Sequence, residues 1–277
     1  MSLPLKELIK IGEKQLSDAG IADAARDAKL LYCFLDKLDS VGLLMRWQDV
    51  LQDNSCESYF ELIERRAAGE PLQYITGTQE FMGFPFNVTP AVLIPRQDTE
   101  TMVEDAIELI EKGTLRGEEY IKPQAIKEVL DLCCGSGAIG ISIAKSCGKT
   151  KVICSDVSEE ALKVAEQNAA LNGCKSVKMQ KSNMFEAFNS RLGRKKFDLI
   201  ISNPPYIESS VIPTLQREVK DYEPMMALDG GEDGLDFYRI IASEGEDYLQ
   251  KNGIIMLEIG YDQGKAVTEM LRETGSF

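Results

Sequence analysis

The string FDLIISNPPYI, residues 197–207, joins an apolar run to Asn203, Pro204, Pro205 and Tyr206, and these residue types in this order can do chemistry. Two consecutive prolines fix φ twice and carry no N–H, so the carbonyls of Asn203 and Pro204 sit on stiff backbone with no local amide competing for them. Asn203 Oδ1 and the Pro204 carbonyl can accept both hydrogens of a planar NH2 group while the Tyr206 ring covers its face. Such a site holds an amide or an exocyclic amine. The plainer reading of the same residues is a strand followed by a proline-stiffened turn.

A second candidate lies upstream, where DLCCGSGAIG follows an apolar segment, Lys127 to Leu132, and leads into a helix through Ile141 and Ile143. Gly135 and Gly137 let the backbone approach a ligand closely, and the helix N-terminus offers free N–H groups to an anion. GSGAIG alone also fits a dinucleotide fingerprint, so a dehydrogenase is an alternative at this point. Asp131 before the loop suits a cofactor that carries positive charge. The next segment, Lys151 to Cys154, leads to Asp156, whose carboxylate can accept from two ribose hydroxyls. A third, Val177 to Gln180, leads to Ser182, Asn183 and Met184.

The elements that must position these loops are legible as periodicities. Apolar runs at 127–132, 151–154, 177–180, 197–201 and 254–259 alternate with helical patterns, which predicts a doubly wound α/β unit with a mostly parallel sheet and ligands at the carboxyl ends of its strands. Ahead of it, Leu5, Leu8, Ile9 and Leu16, then Ala24, Ala28, Leu31, Leu35 and Leu38, then segments around 41–50 and 59–66, predict a small four-helix bundle ended by Gly69 and Pro71. Residues 72–95 change to β-branched and aromatic types around Gly77, Gly83 and Pro85, a hairpin pattern. Asp98 is placed to cap the helix carrying Met102, Val103, Ala106, Ile107 and Ile110, and Gly113 to end it. A polar stretch, 114–124, then leads into the sheet. Further on, a helix is expected over Leu235 to Leu249 and another over Gly264 to Arg272. The expected domains are 1–74, a helical bundle that on pattern alone is either a packing appendage or a substrate-recruiting domain, the latter being the role expected of it; 75–97, a hairpin linker; and 98–277, the catalytic domain.

Composition narrows the classes. With 277 residues and 44% hydrophobic content the chain can bury a sizeable core. No apolar run approaches the roughly 18 residues that span a bilayer, and the charged start LPLKELIKIGEK lacks a signal-peptide core, so a cytoplasmic protein is expected. Seven cysteines without a C-x-x-C read as reduced thiols rather than disulfides or a zinc site. The net charge of −14 argues against a phosphate-binding surface, although Arg191, Arg194, Lys195 and Lys196 form one local cluster. There is no histidine, so neither an imidazole base nor a histidine metal ligand is available, and no metal is expected.

NPPY resembles the (D/N)PPY motif of methyltransferases that act on planar nitrogens. DLCCGSG resembles their D-x-G-x-G-x-G loop, with Cys133 in place of the first glycine. GEPLQYITGTQEFMGFPFNVTPAVLIPRQDTE resembles the connecting segment of the HemK-type release-factor glutamine methyltransferases, with Gln97 in place of a second proline. YEPMMALDGGEDGLDFYRII, with Glu223, Pro224, Gly230, Gly231, Asp233, Gly234 and Tyr238, matches the same family, and the plainer reading of its glycines is an ordinary turn before the helix that follows. The resemblance implies a class I S-adenosylmethionine-dependent methyltransferase with a Rossmann-like sheet, transferring methyl to the glutamine of the Gly-Gly-Gln loop of peptide chain release factors. It implies cofactor contacts at Asp131, Cys133, Cys134, Gly135, Ser136, Gly137, Asp156, Asn183, Met184 and Asn203, with substrate held by Asn203, Pro204, Pro205 and Tyr206. Asn203, Pro204 and Tyr206 are the expected catalytic group. Asn183 stands where an aspartate is usual, and its Oδ1 can still accept from adenine N6.

Cys133 is expected at φ below zero with its thiol beside the cofactor. The family pattern also ends in an antiparallel hairpin that this chain stops short of, which leaves 254–257 as a sheet edge and predicts destabilisation or self-association of this form; the complete enzyme is expected to be a monomer. The alternatives are an adenine-N6 or cytosine-N4 nucleic-acid methyltransferase and a non-catalytic S-adenosylmethionine-binding protein.

Overall fold

The computed structural model describes residues 3–51, 53–116, 118–119, 126–191 and 193–275; part of the polar stretch 114–124, and Ser276 and Phe277 at the chain end, lie outside the described residues. The chain forms two compact units, Met1–Gly77 with Gln216–Tyr222, and Thr78–Leu215 with Glu223–Phe277.

The smaller unit is helical. A two-residue strand β1 (Leu3–Pro4) leads into α1 (Leu5–Asp18), α2 (Ala24–Asp36) and α3 (Ser40–Met45); β2 (Val50–Leu51) pairs back on β1, and α4 (Asp53–Ala67) and α5 (Leu72–Thr76) complete the set. Leu5, Leu8, Ile9 and Leu16 recur at helical spacing and bury one face of α1 with Ala28, Leu31 and Tyr32 of α2 and Tyr59 and Ile63 of α4. Gly12 lies on that face because nothing larger fits: a Cβ there would be 2.3 Å from the Tyr59 hydroxyl, which donates to the Ala28 carbonyl at 3.0 Å. Asp27 and Arg66 form a buried ion pair at 2.7 Å, and Arg66 also holds Glu218. The helix expected over 41–50 is shorter than its pattern, since the chain must straighten to pair Val50 and Leu51 with β1 and to bury Leu51.

In the larger unit β3 (Thr78–Phe81) and β4 (Phe84–Asn87) form a hairpin whose turn residues Met82 and Gly83 both have positive φ, as a tight two-residue turn requires. Phe81 and Phe86 meet edge to face at 6.1 Å and are buried in the core with α6 (Gln97–Lys112). The hairpin packs into the core of this unit, because its two rings have to be taken out of water. Arg96, not Asp98, occupies the N-cap of α6, and Asp98 sits in the first turn, where its charge still favours the helix dipole; Gly113 ends the helix in the left-handed conformation.

A two-residue pair, β5 (Thr114–Leu115) and β6 (Glu118–Glu119), precedes the sheet. Then come β7 (Glu128–Leu132), α7 (Ala138–Ser146), β8 (Lys151–Asp156), α8 (Glu159–Leu171) and β9 (Lys178–Lys181). A small ladder, β10 (Asn189–Ser190) with β11 (Gly193–Arg194), leads to β12 (Phe197–Ser202). After α9 (Arg217–Lys220), which belongs to the smaller unit, follow α10 (Asp236–Glu244), β13 (Leu249–Leu257) and α11 (Gly264–Glu273). The sheet is parallel throughout, in the order β13-β12-β7-β8-β9. The helix expected over 235–249 stops at Glu244 and passes through a 3-10 turn, because Leu249 already pairs with Phe197 and starts β13 earlier than the apolar run at 254 suggested. β13 is an edge strand with Ile254 to Leu257 half-buried.

From β7 the chain moves outward through β8 and β9, then returns to place β12 on the other side of β7. The loops after β7 and β12 consequently diverge from adjacent strands at the topological switch point, the place where open α/β sheets bind ligands.

Candidate active site

Both sequence candidates leave the sheet at that switch point. A cavity of about 340 Å³ is lined by Cys133, Cys134, Gly135 and Ser136 after β7, by Asp156 after β8, by Asn183 and Met184 after β9, and by Asn203 and Pro205 after β12. That volume is in the range of small-molecule sites. Four expected residues do not line it: Asp131, Gly137, Pro204 and Tyr206.

Asp131 differs most from expectation. Its carboxylate is fully buried, and Oδ2 accepts from the Gly140 amide at 2.9 Å and from the Cys154 thiol at 3.7 Å. Gly140 is in the first turn of α7, so Asp131 satisfies an orphan helix donor from the neighbouring strand rather than facing a cofactor. Gly140 is required for this approach, since a Cβ would lie 2.9 Å from Asp131 Oδ2 and 2.6 Å from Cys154 Sγ. Asp131 Oδ1 is buried without a partner, and burial pushes the carboxyl up to about 7 despite the Gly140 bond.

Cys133 also departs from expectation. Its φ is +60°, not negative, because the chain leaves β7 by a left-handed step at this position, the step a glycine takes without strain. The Cys134 amide, donating to Ser155 at 2.9 Å, ties down the next residue. The Cys133 thiol lies 3.9 Å from Met184 Sδ, and burial beside Asp156 and Asp131 pushes its ionisation far up, so it remains a neutral thiol. Met184 is itself left-handed, at φ 45°.

Asp156 is held from two sides. Oδ2 accepts from the Gly135 amide and Oδ1 from the Ser158 amide, each at 2.9 Å, and these bonds oppose the upward pull of burial on its ionisation. The amides of Ala138 and Ile139, at the start of α7 and on the cavity wall, have no hydrogen-bond partner among the described residues. Asn183 donates through Nδ2 to Glu186 at 3.1 Å, which leaves Oδ1 as an acceptor.

The NPPY turn is built as its prolines suggest. Asn203 Nδ2 donates to Thr99 Oγ1 at 3.3 Å, so Oδ1 is the end left over. The Tyr206 carbonyl accepts from Gln263 Nε2 at 3.0 Å and the Ile207 carbonyl from the Gly230 amide at 2.8 Å, whereas no donor reaches the carbonyls of Asn203 or Pro204 among the described residues. The GGEDG segment, which reads as an ordinary turn, is a buttress for this motif. A Cβ on Gly230 would lie 2.7 Å from Tyr206 Cα, and one on Gly234 would lie 2.4 Å from the Tyr206 carbonyl oxygen.

Sequence reasoning missed Ser202, Thr99, Arg96, Gln263 and Glu258 as site residues. Ser202 is buried and donates to the Leu132 carbonyl at 2.6 Å, which locks the ends of β12 and β7 together. Arg96, on the cavity wall, pairs with buried Glu223. The position of Glu258 immediately after β13, level with Asn203 after β12, was the available signal, and it required the strand order to be known.

Residues 7–77 match the family model described as the PrmC N-terminal domain, and residues 110–220 match the methyltransferase small domain. A release factor glutamine methyltransferase from Clostridium acetobutylicum is 42% identical over 250 residues, 90% of this chain and 83% of that protein. The chain belongs to the release factor glutamine methyltransferase family. Another member, from Clostridium botulinum, is 40% identical over 98% of this chain and 92% of its own length. Among solved structures, a SAM dependent methyltransferase from Agrobacterium tumefaciens shares the fold, with a TM-score of 0.50 and 16% identity over 71% of this chain and 57% of that one.

Proposed function

We infer that this chain transfers a methyl group from S-adenosylmethionine to the side-chain amide nitrogen, N5, of the glutamine in the Gly-Gly-Gln motif of peptide chain release factors. The observation that carries this reading is the NPPY turn, which puts Asn203, with Oδ1 left as a free acceptor, on the wall of the cavity that the Gly135 loop and Asp156 also line, and leaves the carbonyl of the next residue, Pro204, without a donor among the described residues.

The residues present fit the cofactor. The free amides of Ala138 and Ile139 suit a carboxylate, Asp156 suits a pair of ribose hydroxyls, and Asn183 Oδ1 suits an adenine amino group. Bound there, S-adenosylmethionine supplies an electrophilic methyl on a sulfonium. The protein's task is the amide. Its nitrogen is a poor nucleophile because the lone pair is delocalised into the carbonyl, so Asn203 and Pro204 accept both N–H bonds and fix the direction of that pair. As positive charge grows on nitrogen those hydrogens become more acidic and the two hydrogen bonds strengthen, which stabilises the transition state over the ground state. No group has to remove a proton beforehand, in keeping with a chain that has no histidine.

The helical N-terminal region, expected over 1–74, is the part we assign to recruiting the release factor, with 75–97 connecting it to the catalytic residues 98–277. Support comes from its match to a dedicated N-terminal family domain. The charge of −14 favours a protein substrate over direct nucleic-acid binding, and among the described residues no helix is long and apolar enough to cross a membrane; we place the enzyme in the cytoplasm with its substrate. The test is transfer of labelled methyl from S-adenosylmethionine. Label on a release factor that disappears when its Gly-Gly-Gln glutamine is replaced supports the reading. Label on a DNA or RNA substrate instead overturns it.

A further inference from the structure

Glu258 has no place in the mechanism above, yet it is among the most constrained residues of the site. Its backbone is pinned on both sides: the amide donates to the Ser202 carbonyl at 3.0 Å, and its carbonyl accepts from the Tyr238 hydroxyl at 2.9 Å. The side chain is off the cavity wall, and Thr99, Asn203 and Tyr206 act on its carboxylate as polar neighbours that hold its ionisation down. None of them completes a normal hydrogen bond to Oε2, which is buried and unpartnered. A buried carboxylate oxygen without a full partner costs free energy, so its presence calls for a reason.

We propose that Glu258 is the positioning residue of the amide site, holding Asn203 with Nδ2 turned toward Thr99 and Oδ1 turned to the substrate, and strengthening Oδ1 as an acceptor by its negative charge. A carboxylate can only accept, so the end of the Asn203 amide that faces it must be the NH2. Thr99 extends the same logic. Its Oγ1 accepts from Asn203 Nδ2, so its hydroxyl hydrogen is free for Glu258, and the chain Asn203, Thr99, Glu258 runs donor to acceptor in one direction. Charge at the end of such a chain polarises every bond in it and leaves more electron density on Oδ1. The Tyr206 hydroxyl acts on the same carboxylate.

Burial raises the ionisation of Glu258, as does the nearby charge of Asp98, while Thr99, Asn203 and Tyr206 lower it; Arg96 acts on Tyr206, and Tyr238 bonds only the backbone. Glu258 protonates as pH falls through its raised value, and the orientation of Asn203 is lost with its charge. The inference rests on the reading of NPPY as the amide site.

The experiment compares the full chain with Glu258→Gln and Thr99→Val, using a Gly-Gly-Gln peptide. Cofactor and peptide affinities come from calorimetry, and kcat is followed against pH. Glutamine keeps the volume, removes the charge and can present either end to Asn203. We expect cofactor affinity within about two-fold of the unmodified chain and kcat lower by roughly 30-fold, an indirect share of what losing one preorganised group costs. The acid limb of the kcat profile is lost in Glu258→Gln and moves to higher pH in Thr99→Val. A kcat within about three-fold of the unmodified chain, or an acid limb that persists in Glu258→Gln and so belongs to another group such as Asp131, overturns the proposal. Should Glu258→Gln fail to bind cofactor, Thr99→Val decides: an unmoved limb with unchanged kcat overturns it. If the unmodified chain methylates an adenine oligonucleotide and not the peptide, the release-factor reading falls, and the same comparison on that oligonucleotide still decides the role of Glu258.

Discussion

Asn203 and Cys133 carry the sharpest consequences at the level of single residues. Asn203→Ala removes Oδ1 but no atom that holds Asp156 or the α7 amides, so turnover is expected to fall roughly 100-fold with cofactor affinity changed by no more than a few-fold. Single-turnover rates and a binding titration measure the two separately; unchanged turnover would remove Asn203 from the chemistry. Cys133 holds a left-handed step at φ +60° that its Cβ disfavours. A β-branched residue there is worse and glycine is better, so Cys133→Val is expected to be less stable than Cys133→Gly by about 1–3 kcal/mol in denaturant unfolding. Equal stability of the two variants would mean that the loop relaxes to negative φ.

The junction of β7 with α7 depends on a carboxylate that the fold makes hard to ionise. Asp131 is pushed up to about 7, well above the roughly 3.9 of an unfolded aspartate. The folded state therefore keeps this proton to higher pH than the unfolded state does. Its contribution to stability is fully present below about pH 4 and is lost as pH rises toward 7, by up to a few kcal/mol. Asp131→Asn retains an acceptor for the Gly140 amide and cannot ionise, so it is expected to flatten the fall in stability between about pH 4 and 7. Urea unfolding of both proteins across that range checks it, and a parallel slope in the variant would assign the effect to other groups.

Substrate recruitment belongs to the scale of the whole molecule. The N-terminal unit exposes Leu44 and Met45 at 70% and 82% on α3, apolar side chains that its own core does not use. If this unit recruits the release factor, Leu44→Glu with Met45→Glu raises KM for the intact factor by roughly ten-fold, the effect of two lost apolar contacts, while leaving KM for a short Gly-Gly-Gln peptide unchanged. Steady-state kinetics with the two substrates separates these cases, and an equal change for both would assign α3 no part in recruitment.

Local chemistry was legible in the chain itself. Consecutive prolines after an apolar run determine a stiff acceptor turn wherever the strand lies, because proline restricts its own backbone. Apolar periodicity determines strands and helices because it is the surface each must bury. Tertiary structure alone decided what depends on neighbours distant in sequence. Asp131 reads as a cofactor ligand until strand β7 is seen to carry it beneath the α7 N-terminus. Cys133 reads as unstrained until the left-handed exit from β7 is imposed on it. The GGEDG glycines read as a turn until Tyr206 is found against them. Glu258 reads as one more charge at the end of an apolar run, and only the pairing of β13 with β12 brings it behind Asn203, because strand order is set by packing across the sheet and leaves no mark on the residues near it in sequence.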